Sequence, residues 1–350
     1  MNSKITIRDV ASLANVSVKT VSRVLNNEPN VRIAMQERVN AAVKELNFKP
    51  NPQARGLRGN KSFILTLIYS NPNPDYILEV QKGILDQGHE DGYNLQILPC
   101  DHTSENLIEM VTSFLEGSPQ DGVILTLPLS DNQQIIELLE SKNIPYTRIS
   151  PLNSESNSPF VGSDDQKAAY DMTRHLISLG HTDIAFIKGH PDHSDTHKRL
   201  LGYKQALNEY GINANEQFIK QGYFTFESGE YCARQLLSQP IKPTAIFASN
   251  DCMAAGVLKV SKQLNISVPA MLTIAGYDDT SVSQQVWPAI TTVKQPIYQL
   301  GKLATKKLIN KIKSLDYEKL PSILECDLVL RESASPCSAI PRRILAHEVI

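Results

Sequence analysis

Apolar positions at the start of the chain recur with a helical period in two bursts, each about two turns long. Ile7, Val10, Ala11 and Ala14 make the first, and Val18, Val21, Val24 and Leu25 the second. Asn15-Val16-Ser17 between them leaves room only for a tight turn. The pattern predicts a helix-turn-helix whose second helix carries Ser17, Lys19, Thr20, Ser22 and Arg23 on its polar side, with Asn26 just beyond. Such a helix fits the major groove of DNA, where Lys and Arg read guanine and small hydroxyls reach phosphate. Thr6 followed by Asp9 forms a capping box for the first helix, and Ser17 caps the second. A plain three-helix bundle with a solvated face shares this pattern, so the helices alone leave both open.

A third helix is expected over Ala34–Leu46, with Val39, Ala42, Val43 and Leu46 on one face. The stretch Phe48–Lys61 then holds two prolines and two glycines and reads as a linker. Within it, Ala54, Arg55, Leu57 and Arg58 make a short basic segment with one leucine. An apolar wedge beside arginines suits insertion into the minor groove; a simple tether is the other possibility.

From residue 62 onward the period changes. Strand-length apolar runs at Ile64–Ile68, Leu95–Leu98, Gly122–Leu127, Pro145–Ile149, Ile184–Ile187, Ala245–Ala248 and Leu272–Tyr277 alternate with amphipathic runs of helix length. Those are Ile77–Gly92, Leu107–Glu116, Gln133–Lys142, Gln166–Leu179, Arg199–Tyr210, Ser228–Leu237 and Met253–Leu264. The alternation predicts α/β structure, two doubly wound parallel sheets, with a break near Phe160–Asp165. Two such lobes place a ligand between their strand ends, at the topological switch points.

Charge sharpens the division. Residues 1–61 hold eleven Lys and Arg against four Asp and Glu, a balance of +7; the whole chain is −2, which leaves −9 for residues 62–350. A basic head on an acidic body is what one end meeting phosphate requires.

Three motifs then become specific. Thr-x-x-Asp-Val-Ala from Thr6, Val-Ser-x-x-Thr-Val-Ser-Arg-Val-Leu-Asn from Val16 and Pro-Asn-x-x-Ala-Arg-x-Leu from Pro50 resemble the signature of the LacI/GalR family of bacterial repressors. The resemblance continues in patches to about residue 333. It implies a dimeric repressor whose hinge helices form on operator DNA, and a two-lobed effector core with the fold of type I periplasmic sugar-binding proteins, crossed three times by the chain. It places Val18, Lys19 and Arg23 where family members read bases, and Leu57 on the minor-groove wedge. One departure stands out. The family opens its third helix with Ser-x-x-Thr-Arg, where this chain has Arg32-Ile-Ala-Met-Gln36; Asn30 is the substitute cap.

The expected division is residues 1–49 for the helix-turn-helix domain, 50–61 for the hinge, 62–335 for the core and 336–350 for a tail. Within the core, the first lobe takes about 62–160 with 293–322, and the second 161–292 with 323–335.

The effector cleft is sought at strand ends. A sugar needs planar Arg, Asn and Asp groups for paired hydroxyls and an aromatic face for its C–H side. Arg199, Asn250, Asp278 and Phe224 supply that set. The family resemblance puts Arg199 (in Lys-Arg-Leu-Leu-Gly-Tyr), Asn250 (in Ser-Asn-Asp) and Asp278 (in Gly-Tyr-Asp-Asp) on effector-binding positions and Phe224 on the stacking aromatic. Asp75, Tyr76, Asp165, His193, Asp195 and Trp287 complete the candidate set. Taken singly, a loop Asp or Asn is also an ordinary turn former and Arg199 an ordinary surface ion pair. The purine-responsive branch of the family carries an arginine where this chain has His193, which favours a mono- or disaccharide, or a phosphorylated sugar, over a purine corepressor.

Other classes have less support. His190, His193 and His197 with Asp192 and Asp195 lack a strong ligand spacing, so neither a metal nor any other cofactor is expected. There is no Gly-x-Ser-x-Gly, P-loop or Gly-x-Gly-x-x-Gly, so no enzyme is expected. A protein that only binds or senses sugar has no use for the basic head. The five scattered cysteines and the absence of any long apolar run point to a cytoplasmic protein without membrane contact. Pro336–Ile350 holds two prolines and no leucine heptad, which favours a homodimer on a pseudo-palindromic double-stranded operator over a tetramer.

Overall fold

The structure is a computed structural model that describes residues 5–25, 31–48, 61–152 and 158–337. It divides into two compact units, residues 1–63 and 64–350. The expectations for Asn26, Asn30, Ala54, Arg55, Leu57 and Arg58 lie outside the described residues.

The first unit contains helices α1 (Ile7–Leu13), α2 (Val18–Leu25) and α3 (Ile33–Glu45). Val10, Ala11, Ala14, Val21, Val24, Val39 and Ala42 are buried together, so the three apolar stripes close on one another. The turn between α1 and α2 places Asn15 in the left-handed region at φ 49°, a conformation asparagine tolerates. Its carbonyl accepts from Arg38 Nη2 at 2.9 Å, which ties α3 to the turn. α3 starts at Ile33 with Arg32 at its N-cap and no side-chain cap; Gln36 Nε2 instead donates to the Val31 carbonyl at 3.0 Å.

The second unit holds two six-stranded sheets. The first contains β1 (Ile64–Tyr69), β2 (Asn94–Pro99), β3 (Gly122–Leu125), β4 (Tyr146–Ile149), β5 (Phe160–Ser163) and β11 (Ile323–Leu324), in the order β11-β5-β4-β3-β1-β2 and wholly parallel. The second contains β6 (Ile184–Lys188), β7 (Ile219–Gln221), β8 (Ala245–Ala248), β9 (Thr273–Asp278), β10 (Thr291–Lys294) and β12 (Asp327–Val329). Its order is β12-β10-β9-β8-β6-β7, with only β12 antiparallel. Central strands such as Ala245–Ala248 are buried on both faces, which is why they read as unbroken apolar runs. Both sheets reverse their strand order at one place, next to β1 in the first and next to β6 in the second, and these switch points open the ligand crevice.

The strand Phe160–Ser163 crosses the expected lobe break and pairs with β4, so residues 161–163 belong to the first sheet. Ile323 and Leu324 pair with Gly162 and Ser163, which also moves them to the first sheet. The chain therefore crosses after Ser163, after Lys294 and between Leu324 and Asp327. Gln295 Nε2 donates to Ser163 Oγ at 2.8 Å, joining the first two crossings. No helix among the described residues is long and apolar enough to cross a membrane.

Candidate functional site

On α2, Ser17 Oγ accepts the Thr20 amide at 3.1 Å and lies 2.9 Å from Thr20 Oγ1, so Ser17 and Thr20 together cap the helix. Thr6 presents both its amide and its hydroxyl to Asp9 Oδ2, at 2.7 and 2.8 Å. These bonds hold the Asp9 carboxyl below the usual carboxylate range. Lys19 and Ser17 are exposed, whereas Thr20, Ser22 and Arg23 are half-buried. Val18 is half-buried and packs on the three-helix core, so part of its side chain is structural.

The candidate effector cleft is built around one buried guanidinium. Arg199 is carried by helix Ser194–Glu209, which follows β6, and is 2% exposed. Its Nε donates to Asp165 Oδ1 at 3.0 Å, Nη1 to the Ser249 carbonyl at 2.5 Å and Nη2 to Asp195 Oδ2 at 3.4 Å. Asp278 Oδ1 lies 3.8 Å from Nη1, close enough for charge attraction but not for a hydrogen bond. The guanidinium carbon sits 3.6 Å from the centre of the Tyr277 ring, and the Tyr277 hydroxyl donates to Asp165 Oδ1 at 2.9 Å. Burial works against a charged Arg199, but Asp195 and Asp165 outweigh it and raise the guanidinium above its ordinary value. Burial raises the carboxyls of both Asp278 and Asp165, Asp278 well above the usual carboxylate range and Asp165 above it, although the Arg199 charge pulls each down.

Asn71, Asn73, Tyr76, Asp195, Arg199, Phe224, Asn250 and Asp278 line a small polar void of about 10 Å³, room for about one water. Asn73 caps helix Pro74–Asp91 by accepting from the Asp75 and Tyr76 amides at 3.1 and 3.4 Å, which aims Tyr76 inward. Asn250 has two structural tasks: Oδ1 accepts from the Met253 amide at 2.9 Å, capping helix Asp251–Gln263, and Nδ2 donates to the Phe224 carbonyl at 2.9 Å. Phe224 (φ 62°), Asp278 (φ 101°) and Asp279 (φ 57°) occupy the left-handed region, so backbone strain gathers at the cleft. Beneath Phe224 lies Gly189, where an added Cβ would come within 2.0 Å of Phe224 Cζ.

Six of the ten expected effector residues line this void: Tyr76, Asp195, Arg199, Phe224, Asn250 and Asp278. Asp165 is 1% exposed and supports Arg199 from behind. His193 is also 1% exposed, its ring centre 5.4 Å from that of Phe224; burial lowers its imidazole to a pKa of about 4. Asp75 lies at the rim, where its Oδ2 accepts from Ser281 Oγ of the opposite lobe at 2.8 Å. Trp287 does not line the void. It follows the short helix Val282–Gln285 and is 81% exposed, so it is not a core residue. Asn71 and Asn73 belong to the polar loop Asn71–Tyr76, expected on the ligand as a segment, and Tyr277 supports Arg199 without having been a candidate. The first two are signalled by their position straight after β1, and Tyr277 by its place beside Asp278.

Residues 6–51 match the family described as bacterial regulatory proteins, lacI family, and residues 173–334 match the periplasmic binding protein-like domain. Catabolite control protein A of Priestia megaterium is 34% identical over 87% of this chain and 91% of its own length. A transcriptional regulator CelR–cellobiose complex is similar at 29% identity and a TM-score of 0.71, covering 94% of this chain and all of that one. The lac repressor dimer bound to operator and the anti-inducer ONPF is similar at 26% identity and a TM-score of 0.75, covering 95% of this chain and all of that one. The chain belongs to the lacI family of bacterial regulators and is a DNA-binding transcriptional repressor with an effector-binding core.

Proposed function

We propose that this repressor acts as a homodimer on a carbohydrate-catabolic operon and leaves its operator when a neutral sugar enters the cleft around Arg199. The observation that carries the proposal is the cleft's unmet hydrogen-bonding capacity. Arg199 already directs its N–H groups at Asp165, Ser249 and Asp195. Buried Asp195 Oδ1 and Asp278 Oδ1 have no hydrogen-bond partner. A sugar hydroxyl both donates and accepts, so it satisfies these oxygens whether Asp278 is charged or protonated. A purine carbonyl only accepts, so a purine meets these oxygens through its few ring N–H groups alone, whereas a sugar presents a donor at every hydroxyl. Three carboxyls around one guanidinium also disfavour a phosphate group. Phe224 offers a ring face for the C–H side of the sugar, and likeness to a regulator described with cellobiose supports a saccharide.

A ligand shifts DNA affinity only by binding one arrangement of the two sheets better than another, and about 1–3 kcal/mol of coupling is usual. The test is a DNA-binding titration on a site selected from random sequence, with sugars and purines, on wild type and Asp278→Ala. A sugar should weaken wild-type binding about 5–150-fold and leave Asp278→Ala bound. Tightening by sugar would reverse the sign of the allostery. Release by a purine alone would overturn the sugar, and a wild-type response in Asp278→Ala would overturn the site.

A further inference from the structure

Outside the Arg199 cleft, the loop after β2 and the loop after β6 meet in a small cluster. His102 Nε2 of the first lobe lies 3.1 Å from Asp192 Oδ2 of the second, and His190 Nδ1 lies 3.8 Å from the same oxygen. We propose that His102, His190 and Asp192 bind one divalent transition-metal ion of the zinc type, joining the two lobes at the edge of the cleft.

The geometry suits the ion. Zinc takes imidazole nitrogen and carboxylate oxygen at about 2.0–2.2 Å in a tetrahedron, so neighbouring ligand atoms stand about 3.3 Å apart. The separations of 3.1 and 3.8 Å lie on either side of that value, and all three ligand atoms lie within 4.8 Å of one another. Two imidazoles and one carboxylate match the ligand preferences of zinc, nickel or copper rather than magnesium or calcium. The fourth position is left for water, and the Asp192 side chain, 55% exposed, keeps a path to solvent.

The surroundings orient the ligands as a metal site requires. Ser70 Oγ lies 2.9 Å from His102 Nδ1, so it can accept that N–H and leave the Nε2 lone pair free for the ion. The same oxygen accepts the His102 amide at 3.3 Å. His190 Nδ1 accepts the Asp192 amide at 3.3 Å, a long bond that it gives up when its lone pair turns to the ion. Thr196 Oγ1 donates to the His190 carbonyl at 2.9 Å and steadies the loop. The ligands come from both lobes, with His102 90 residues before Asp192, so local spacing in the sequence cannot reveal them.

The experiment uses the full chain after chelator treatment, titrated with zinc by calorimetry and with cobalt by visible absorption. Wild type should bind one ion per chain and show tetrahedral cobalt bands without thiolate charge transfer. His102→Ala and His190→Ala should each weaken binding at least tenfold, and Ser70→Ala about tenfold, as loss of an orienting partner does. Asp192→Asn removes an exposed ligand with little risk to folding and should match the histidine variants. No saturable binding by wild type would overturn the site, as would cobalt bands from thiolate. Unchanged affinity in His102→Ala would equally overturn it, since the ion would then not join the lobes.

Discussion

Tyr277 and Arg199 lie face to face at 3.6 Å and share one carboxylate, for both donate to Asp165 Oδ1. The phenol thus supports the guanidinium through its ring and restrains its counter-ion through its hydroxyl. Tyr277→Phe keeps the ring and leaves Asp165 one donor short. A hydrogen bond to a charged group is worth about 1.5–3 kcal/mol, and that is the expected loss in denaturant unfolding. An unchanged midpoint would show that the hydroxyl contributes nothing to stability.

Gly189 sets the position of Phe224. The Cβ of an alanine there would also fall 2.6 Å from Thr196 Oγ1, so the aromatic ring must move. Overpacking of this kind costs about 1–3 kcal/mol. Gly189→Ala should weaken effector binding, read by calorimetry, and leave affinity for effector-free operator as it was. Wild-type effector affinity would mean that Phe224 does not touch the ligand.

On α2, exposed Lys19 and half-buried Arg23 are the proposed base-reading groups. Alanine at either should cost about 1–3 kcal/mol on a selected operator and much less on random DNA. Competition binding at fixed salt separates the two. Equal losses on both DNAs would assign these side chains to phosphate.

Asp251 gives a pH prediction. Its carboxyl accepts from the Thr280 amide (2.7 Å), Thr280 Oγ1 (3.1 Å) and Thr292 Oγ1 (2.6 Å), yet burial outweighs these bonds and raises its pKa from 3.8 to about 7. The folded state therefore keeps a proton that the unfolded chain has released. The stability this gives is complete below about pH 4 and is lost as pH rises through about 7; the limit is about 4 kcal/mol. Denaturant midpoints measured between about pH 5 and pH 8 should fall less steeply in Asp251→Asn than in wild type. Parallel slopes would show that Asp251 does not titrate in this range.

Strands buried on both faces were legible because every residue is apolar, and Ala245–Ala248 begins and ends where its run does. Thr291–Lys294 was not, because its buried Thr291 and Thr292 look polar until Thr292 is seen to donate to Asp251. Phe160–Ser163 looked like a break because it is short and holds a glycine and a serine. Helix Ile297–Ile312 lies beyond the last expected helix, although buried Ile297, Leu300, Ala304 and Leu308 keep a helical spacing. In the cleft, family motifs led to Arg199, Asn250 and Asp278. The double task of Asn250 was hidden, because it depends on a carbonyl 26 residues earlier in the chain. Trp287 left a core role open in the sequence, and at 81% exposed it is not core.

The bond from Gln295 to Ser163 has a mechanical consequence. Ser163 Oγ in turn donates to Asp165 Oδ2 at 3.1 Å, and Asp165 holds Arg199. Two of the three interlobe connections are thereby linked side by side, and twisting one without the other costs this bond, about 1 kcal/mol. They behave as a single axle, and the guanidinium is mounted on it through one carboxylate. Whatever grips Arg199 therefore pulls close to the axis, where a small displacement becomes a large swing at the far edges of the lobes.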